Sequence, residues 1–560
     1  PLSRHRGWVS VVLAEGWTGP TKTAKLTCLQ FNPDYHHTTH MEAQLIQCLE
    51  ASMSPDTATV KQAEVHLKQA TQAPGFVGCL VNIMGSSSQH PAHLKQAAAV
   101  QFKNYVKHGW DPEHQQGGDA LGVAISDNDK TTIRQHLVGL MCSANPSVMS
   151  QLAEALRLIS TYDFPDRWRE LLPDLIRRLA EAMSNNNWNV YNGVLETANS
   201  IFKRFRYVGK SDALFIQLKY IFGLFCEPML THTKYLVQQL PTLAKVPHTP
   251  GAGKHPFECC LIAVRTLLRI FFSLNWQDLP EYFEDHIQEW MTLFATLMSP
   301  DLKVDNCPQL QRVTSDDEAS PIENVQSAII DNLVLYSEKY EEEFQPFMPA
   351  FTRQIWTLLT QVRQVPRYDG VVTTALRFFT STVRKPWNKK LFETDGFIQA
   401  ICESVVIPGL RLQDVDEENF EDNPVEYIRN DMEGADGESR RRAACDLVQG
   451  LCVLFKQSVT QLCGGYINTL LQKYQTNPVE YVEHRSLLCA CWLYSLCAEF
   501  SVPDNTLKHT CLDHVEGGID LNLYCFFYVD VMVAYHDEIQ DSPLFQCSWC
   551  AGTGKKRTRL

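Results

Sequence analysis

The 560-residue chain has little positive charge and no long uninterrupted apolar run. It contains 50 Lys and Arg residues against 64 Asp and Glu residues, so its formal net charge is -14. A protein that holds nucleic acid through phosphates needs clustered Lys and Arg, and this composition instead favours a basic protein partner. The nearest apolar run, residues 521–535, is shorter than the roughly 20 residues of a membrane span and contains Asp530. We predict no membrane span and no nucleic-acid partner.

The chain also lacks the signals of a disulfide scaffold, a metal site or a phosphate-binding loop. Its 19 cysteines have no regular spacing, and most lie in helical patterns where Cys acts as a small apolar residue. Cys547 and Cys550 supply only half the ligands of a zinc site, and residues 251–254 and 552–556 lack the spacing of a nucleotide loop. We assign no catalytic residue, metal or cofactor. The rival hypothesis is a zinc-dependent or thiol enzyme that uses the C-terminal cysteines.

Residues 151–207 contain the pattern around which the chain is organised. Leu152, Leu156 and Ile159 recur at helical steps until Pro165, which removes an amide donor and ends the helix. Further apolar stripes follow at 171–179 and, after three asparagines, at 194–205. This predicts a helix, a tight turn, an antiparallel helix and then the next unit.

The same helical step returns at intervals along the rest of the chain. The first, or A-type, helices of the pairs are predicted to begin near Gln151, Asn192, Leu261, Asn324, Val371 and Arg440. Some intervals match the ~40–47 residues of a HEAT unit, and the longer ones predict an extra loop or an overlong helix. Because strand signals are nearly absent, we predict an all-α fold, a HEAT-repeat solenoid or α-α superhelix of the ARM type.

The chain divides into four predicted segments, of which the boundaries at 145 and 478 follow from the family resemblance described below. Residues 1–40 show no sustained period and are expected to be a disordered extension or untranslated-region sequence, residues 41–145 and 146–478 form helical repeats, and residues 479–560 are an atypical Cys-rich end. We interpret that end as mis-spliced or read-through sequence, with an isoform that has a private tail as the alternative. Predicted loops cover 241–256, 307–321 and 414–438. The last is strongly acidic, and Arg440–Arg442 follow it at a helix start, where basic residues oppose the macrodipole. We favour an internal pairing of these arginines with the acidic loop.

Two parts of the sequence resemble a known family. AEVHLKQATQAPGFVGCLVNIM and HLKQAAAVQFKNYVKHGW, between Ala63 and Trp110, resemble the N-terminal domain of importin-β-type transport receptors. The stretch from Phe420 to Tyr474, including FEDNPVEYIRNDMEGADGESRRRAACDLVQG, resembles one branch of that family more specifically, as do DFPDRW and NGVLETANSIFKRFRY. The resemblance ends near Pro478, and members of the family are considerably longer.

The resemblance implies a function in which the protein catalyses no reaction. It implies a shuttling receptor, present in nucleus and cytoplasm, that binds Ran in its GTP form, re-exports importin-α and has nucleoporins as further candidate partners. A HEAT-repeat scaffold with no Ran dependence is the alternative. By resemblance, the candidate Ran contacts are Lys103, Asn104, Lys107 and Trp110, although lysines in the last turn of a helix also complement its dipole.

The acidic stretch is a second candidate contact, for a basic patch on Ran or importin-α. Complementary potentials steer encounter and discriminate between partners, whereas most charged runs are simply solvated. The candidate residues are Glu417, Glu418, Glu421, Asp422, Glu426, Asp431 and Glu433.

Overall fold

The protein is described from a computed structural model that covers residues 38–85, 89–111, 124–247, 253–311, 315–394, 396–410, 418–419, 422–423 and 439–476. Within these residues every regular element is a helix, which confirms the all-α HEAT-repeat prediction. Only residues 38–40 of the predicted segment 1–40 are described, and the predicted segment 479–560 lies entirely outside the described residues. The chain divides into two compact units, the first made of residues 1–140 and 144–155 and the second of residues 141–143 and 156–560.

The first unit contains the N-terminal helices. They are α1 (Thr38–Ala51), α2 (Thr57–Ala70), α3 (Phe76–Met84), α4 (Ala92–Gly109), most of α5 (Asp127–Ser143) and the first half of α6 (Pro146–Asp163). Helix α1 packs on α2, α3 and α4, and α3 pairs with α4. The turn into α3 is made by Gly75, whose positive φ of 89° favours glycine. The core of this unit is apolar, and Phe76 meets Tyr105 edge to face at 5.1 Å.

The second unit contains the remaining helices. They are α7 (Leu171–Ser184), α8 (Trp188–Phe202), α9 (Asp212–Leu243), α10 (Pro256–Leu274), α11 (Glu281–Asp285), α12 (Ile287–Leu297), α13 (Pro308–Gln311), α14 (Pro321–Lys339), α15 (Glu341–Phe344), α16 (Met348–Gln361), α17 (Asp369–Val383), α18 (Phe397–Ile401), α19 (Ile407–Leu410) and α20 (Arg440–Thr476). Short 3-10 helices follow α8 at Lys203–Arg206 and α17 at Pro386–Leu391, and a π-helical turn joins α18 to α19.

Two rows of helices build the second unit. In the A row, each of α8, α10, α14, α17 and α20 packs on the next. The B row contains α7, α9, α12 and α16. Between the rows lies an aromatic core in which the ring of Phe271 contacts Phe283, Trp290 and Tyr336, with centroids 5.0, 4.7 and 5.8 Å away. Each repeat therefore buries its apolar face against its neighbours.

Helix starts agree closely with the sequence predictions. The six A-type helices begin within five residues of the predicted positions, and α6 ends at Asp163, next to the cis Phe164–Pro165 bond. The long interval after Asn192, which predicts an extra loop or an overlong helix, contains α9, a helix of 32 residues. The predicted loop at 241–256 is wrong at its start because α9 runs on through Pro241 to Leu243. Pro241 lies in the last turn of α9, where losing one internal hydrogen bond does little to a helix that is about to end.

Helix α9 is also long and apolar enough, by length and composition, to cross a membrane. An inspection of uninterrupted apolar runs misses it, because Lys219, Glu227 and Lys234 interrupt the sequence. In the structure it packs on α7, α10 and α12, and Lys234 forms an ion pair with Glu289 of α12. These contacts are those of a core helix in a helix stack.

Candidate partner-binding surfaces

The C-terminal end of α4 places the candidate Ran contacts of the first unit. Lys103 and Asn104 are half-buried, and Lys107 is exposed in the last turn. Trp110 follows as the C-cap residue and is only 3% exposed. Its ring receives the cations of Lys130 and Arg134 from α5, each 5.6 Å from a ring centroid.

These positions separate the four candidate residues by role. The main-chain amide of Trp110 donates to Val106 at 3.0 Å, and the amide of Ile125 donates to Gly109 at 2.9 Å, so the end of α4 is held to the start of the next segment. Trp110 serves as the internal support on which α5 rests. Lys103, Asn104 and Lys107 are the candidates that reach the surface.

The acidic stretch is described at two of its seven candidate positions. Glu418 and Asp422 are both exposed. The amide of Asn423 donates to the carbonyl of Asn419 at 3.1 Å, a single helical turn. Glu417, Glu421, Glu426, Asp431 and Glu433 lie outside the described residues.

The arginines that open α20 find acidic partners elsewhere. Arg440 is buried, and its Nη1 donates to Asp369 Oδ1 of α17 at 2.9 Å. Arg442 pairs with Asp446, one turn further along α20, at 3.3 Å. For these two arginines the predicted pairing with the acidic loop is wrong. The carboxylate of Asp369 offsets the cost of placing Arg440 at a helix N-terminus.

Four side chains of alternating charge follow one another along the A row, and sequence reasoning did not find this charge ladder. Glu196, Arg265, Asp331 and Arg377 stand on α8, α10, α14 and α17 in turn. Arg377 Nη1 lies 3.6 Å from Asp331 Oδ1. Burial and the nearby Arg269 lower the pKa of the Arg265 guanidinium, while Glu196 and Asp331 oppose that shift. No sequence spacing reveals the ladder, because its members come together only through the stacking of the helices.

Side chains also join the C-terminal ends of neighbouring A-row helices. In three successive repeats, a side chain at or just after the end of one helix donates to a main-chain carbonyl at the end of the previous helix. We call these contacts the end clasps. They are Gln277 to Phe205 and Val208 at 2.5 and 2.8 Å, Lys339 to Trp276 at 2.6 Å, and Lys385 to Ser337. Each clasp satisfies carbonyls that a helix end leaves open.

The cysteines in the described part of the chain behave as packing residues. All eleven are buried. Burial raises the pKa of the Cys79 and Cys142 thiols to about 11 and that of Cys260 to about 12. Since the thiolate is the nucleophilic form, these thiols are poorly suited to attack at neutral pH. The described residues hold no cluster of His, Cys, Asp and Glu able to bind a metal, and Cys547 and Cys550 lie outside them.

Known proteins match this arrangement of helix pairs. The family model of the importin-beta N-terminal domain matches residues 63–143, and the Cse1 family model matches residues 201–509. Exportin-2 of Oreochromis niloticus is 35% identical over 441 residues, and exportin-2 of Homo sapiens is 36% identical over the same length. In both cases the match covers 79% of this chain and 43% of the relative. The chain therefore spans less than half the length of these relatives.

A solved structure agrees with the sequence matches. The exportin Cse1 in its cargo-free, cytoplasmic state superimposes with a TM-score of 0.72 at 30% identity, covering 82% of this chain and 46% of the other. Helix pairs that follow an importin-β-type N-terminal domain in the sequence place the chain in the importin-β-like class. Within that class, the chain belongs to the Cse1 family, whose relatives are the exportin-2 proteins.

Proposed function

We propose that this protein is a non-enzymatic nuclear transport receptor that binds Ran in its GTP form and carries importin-α from the nucleus to the cytoplasm. The observation that supports it best is the order of the two family matches, an importin-β N-terminal domain followed by a Cse1 segment that covers more than half of the chain. Each ligand would favour the same arrangement of the repeats, so each would raise the affinity for the other reciprocally. The receptor would shuttle between the two compartments, with nucleoporins as further partners.

The Ran contact in this proposal includes the exposed end of α4. Lys103 and Lys107 present positive charge there, and Asn104 adds a polar side chain, while Trp110 supports the helix end from within. A surface of this kind would recognise a protein partner through complementary charge and shape.

A nucleotide-dependent binding assay tests this proposal. The chain should retain Ran loaded with GTP and release Ran loaded with GDP. Lys103→Glu with Lys107→Glu should weaken the GTP-dependent binding by about tenfold, whereas Lys61→Glu on the exposed face of α2 should leave it unchanged. Equal binding of both nucleotide forms would favour the scaffold alternative, which has no reason to distinguish them.

A second assay tests the acidic stretch. Replacing Glu417, Glu418, Glu421 and Asp422 by Lys should weaken binding of Ran or importin-α at low salt, because repulsion would replace attraction. The matched variant carries Gln or Asn at the same positions and should show a smaller loss. Unchanged affinity for both partners would remove this stretch from the proposed interface.

A further inference from the structure

An unusually exposed tryptophan stands at the end of α17. Trp387, in the 3-10 helix Pro386–Leu391, is 60% exposed, and its indole Nε1 donates to the carboxylate of Glu341. Lys385 Nζ donates to the same carboxylate at 2.8 Å and to the carbonyl of Ser337. The indole is therefore held in one orientation with much of its surface in solvent, and Lys385 Nζ lies 6.0 Å from its ring centroid.

Positive charge is concentrated in the sequence on both sides of Trp387. Residues 384–390, RKPWNKK, carry four cations and no acid. Arg384, Lys389 and Lys390 are exposed, and Lys389 Nζ lies 5.8 Å from the ring centroid of Phe455 on α20 and 3.3 Å from Glu393. We call Trp387 with Arg384, Lys389 and Lys390 the tryptophan patch. It sits on a chain whose net charge is -14, so it is a local reversal of sign.

We infer that the tryptophan patch is a docking surface for an acidic linear segment of a partner protein, with one apolar side chain of the segment lying on the indole. Tryptophan and arginine are the residues that most often carry binding energy at protein interfaces. The bond from Trp387 to Glu341 fixes the ring beforehand, so little side-chain freedom is lost on binding. Arg384 and Lys390 supply the complementary charge.

A protein segment fits this patch better than a nucleic acid does. Single-stranded nucleic acid needs a continuous basic groove and several stacking rings. Here a single exposed ring is bonded to the carboxylate of Glu341, and Lys389 of the patch is already paired with Glu393, in a chain of net charge -14. This inference is independent of Ran and importin-α, because it rests on the chemistry of the patch alone.

Fluorescence anisotropy with a labelled synthetic peptide tests the inference on the full chain. The probe is a peptide in which glutamates flank a single leucine, and its control replaces every glutamate by glutamine. Binding of the acidic probe should fall at least about tenfold with Trp387→Ala and again with Arg384→Glu plus Lys390→Glu. Higher salt should weaken it, and the glutamine peptide should not bind.

Matched variants elsewhere in the second unit provide the controls. Tyr207→Ala removes another exposed aromatic ring, and Lys245→Glu makes the same charge reversal at another exposed site. Neither should change probe binding. Trp387→Phe keeps a ring but loses the bond to Glu341, and should bind with intermediate affinity. If Trp387→Ala lowers the melting temperature, the double charge variant still decides, because Arg384 and Lys390 are exposed.

Three results would overturn the inference. Unchanged probe binding by both patch variants would show that the patch does not bind acidic segments. If the patch variants lose binding of a labelled single-stranded RNA oligonucleotide but still bind the acidic peptide, the patch is a site for nucleic acid. A change of oligomeric state in sedimentation on replacing Trp387 would make a second copy of this chain its occupant.

Discussion

At Gly193 the absence of a side chain lets two helices approach closely. A Cβ atom at this position of α8 would lie 2.6 Å from the Cα of Cys142 and 3.2 Å from the carbonyl oxygens of Met141 and Cys142, at the end of α5. These are main-chain atoms, which cannot swing aside as a flexible side chain can. Close packing of this kind makes even one methyl group costly.

Gly193→Ala should therefore lower the free energy of unfolding by about 2–3 kcal/mol. Gly223 provides the control, since it lies in α9 and a Cβ atom there would meet no neighbour within 4 Å. Gly223→Ala should stabilise the protein by about 0.5–1 kcal/mol through helix propensity. Chemical denaturation of both variants measures the difference. If Gly193→Ala leaves the free energy of unfolding unchanged, the end of α5 can move away from α8 at no cost.

His232 of α9 couples stability to pH. Its Nδ1 lies 3.0 Å from the hydroxyl of Tyr191 inside the core, and burial lowers the pKa of its imidazole below the usual 6.5. The unfolded chain then binds this proton more readily than the folded chain. The contribution to stability is therefore present above pH 6.5 and is lost as the pH falls toward the lowered pKa.

His232→Gln should make unfolding less sensitive to pH between 7.5 and 5.5. Gln cannot take up the proton, so the wild-type chain should lose stability more steeply, by up to about 1.4 kcal/mol per pH unit from this residue. Thermal unfolding at several pH values compares the two proteins. Parallel curves would indicate that His232 is already solvated in the folded state.

At the scale of elements, the end clasps join side chains to carbonyls that are 48 to 72 residues away in sequence. Lys339, at the end of α14, donates to the carbonyl of Trp276 at 2.6 Å, and its ammonium lies 3.9 Å from the centroid of that ring. Burial and the nearby Lys210 lower the pKa of this ammonium. The clasp thus places a cation at the C-terminal end of the preceding repeat, where the helix dipole favours it.

Lys339→Met should remove the clasp while keeping most of the side-chain volume. We expect a loss of about 1 kcal/mol in the free energy of unfolding, because the bond lies at the surface. Amide hydrogen exchange should also become faster in the last turns of α10 and α14. Lys219→Met, on the exposed side of α9, is the control and should change neither quantity. Unchanged exchange at both helix ends would show that the clasp adds no rigidity.

Which elements can be predicted depends on how their residues are buried. Helix α7 buries one face, so its apolar stripe shows a clear period and reveals its position. For helix α9 the sequence predicts only that a long interval holds an extra loop or an overlong helix. Its apolar residues extend beyond one face to exposed Phe215, Ile216 and Leu224, and Pro228 and Pro241 lie within it. The unclear helical period and the two internal prolines both argue against a helix here, so the sequence alone does not predict it.

For the whole molecule, sequence predicts the architecture better than the binding surfaces. The HEAT-repeat fold follows from a repeated local pattern, and local patterns are visible in one dimension. The charge ladder and the end clasps join side chains from different repeats, so they need the register of one helix against the next. Trp110 illustrates the difference, because its position in the motif suggested a contact residue whereas the structure buries it between α4 and α5.

The end clasps have a direction, and that direction makes the two ends of the array unequal. Every donor belongs to a later repeat and every acceptor to an earlier one. Removing repeats from the C-terminal side strips a donor and leaves an open carbonyl, which water can satisfy. Removing them from the N-terminal side leaves donors without their acceptors, namely the amide of Gln277 or the ammonium groups of Lys339 and Lys385. Trimming this chain from its two ends should therefore expose opposite hydrogen-bonding groups, carbonyl acceptors at a new C-terminal end and N–H donors at a new N-terminal end.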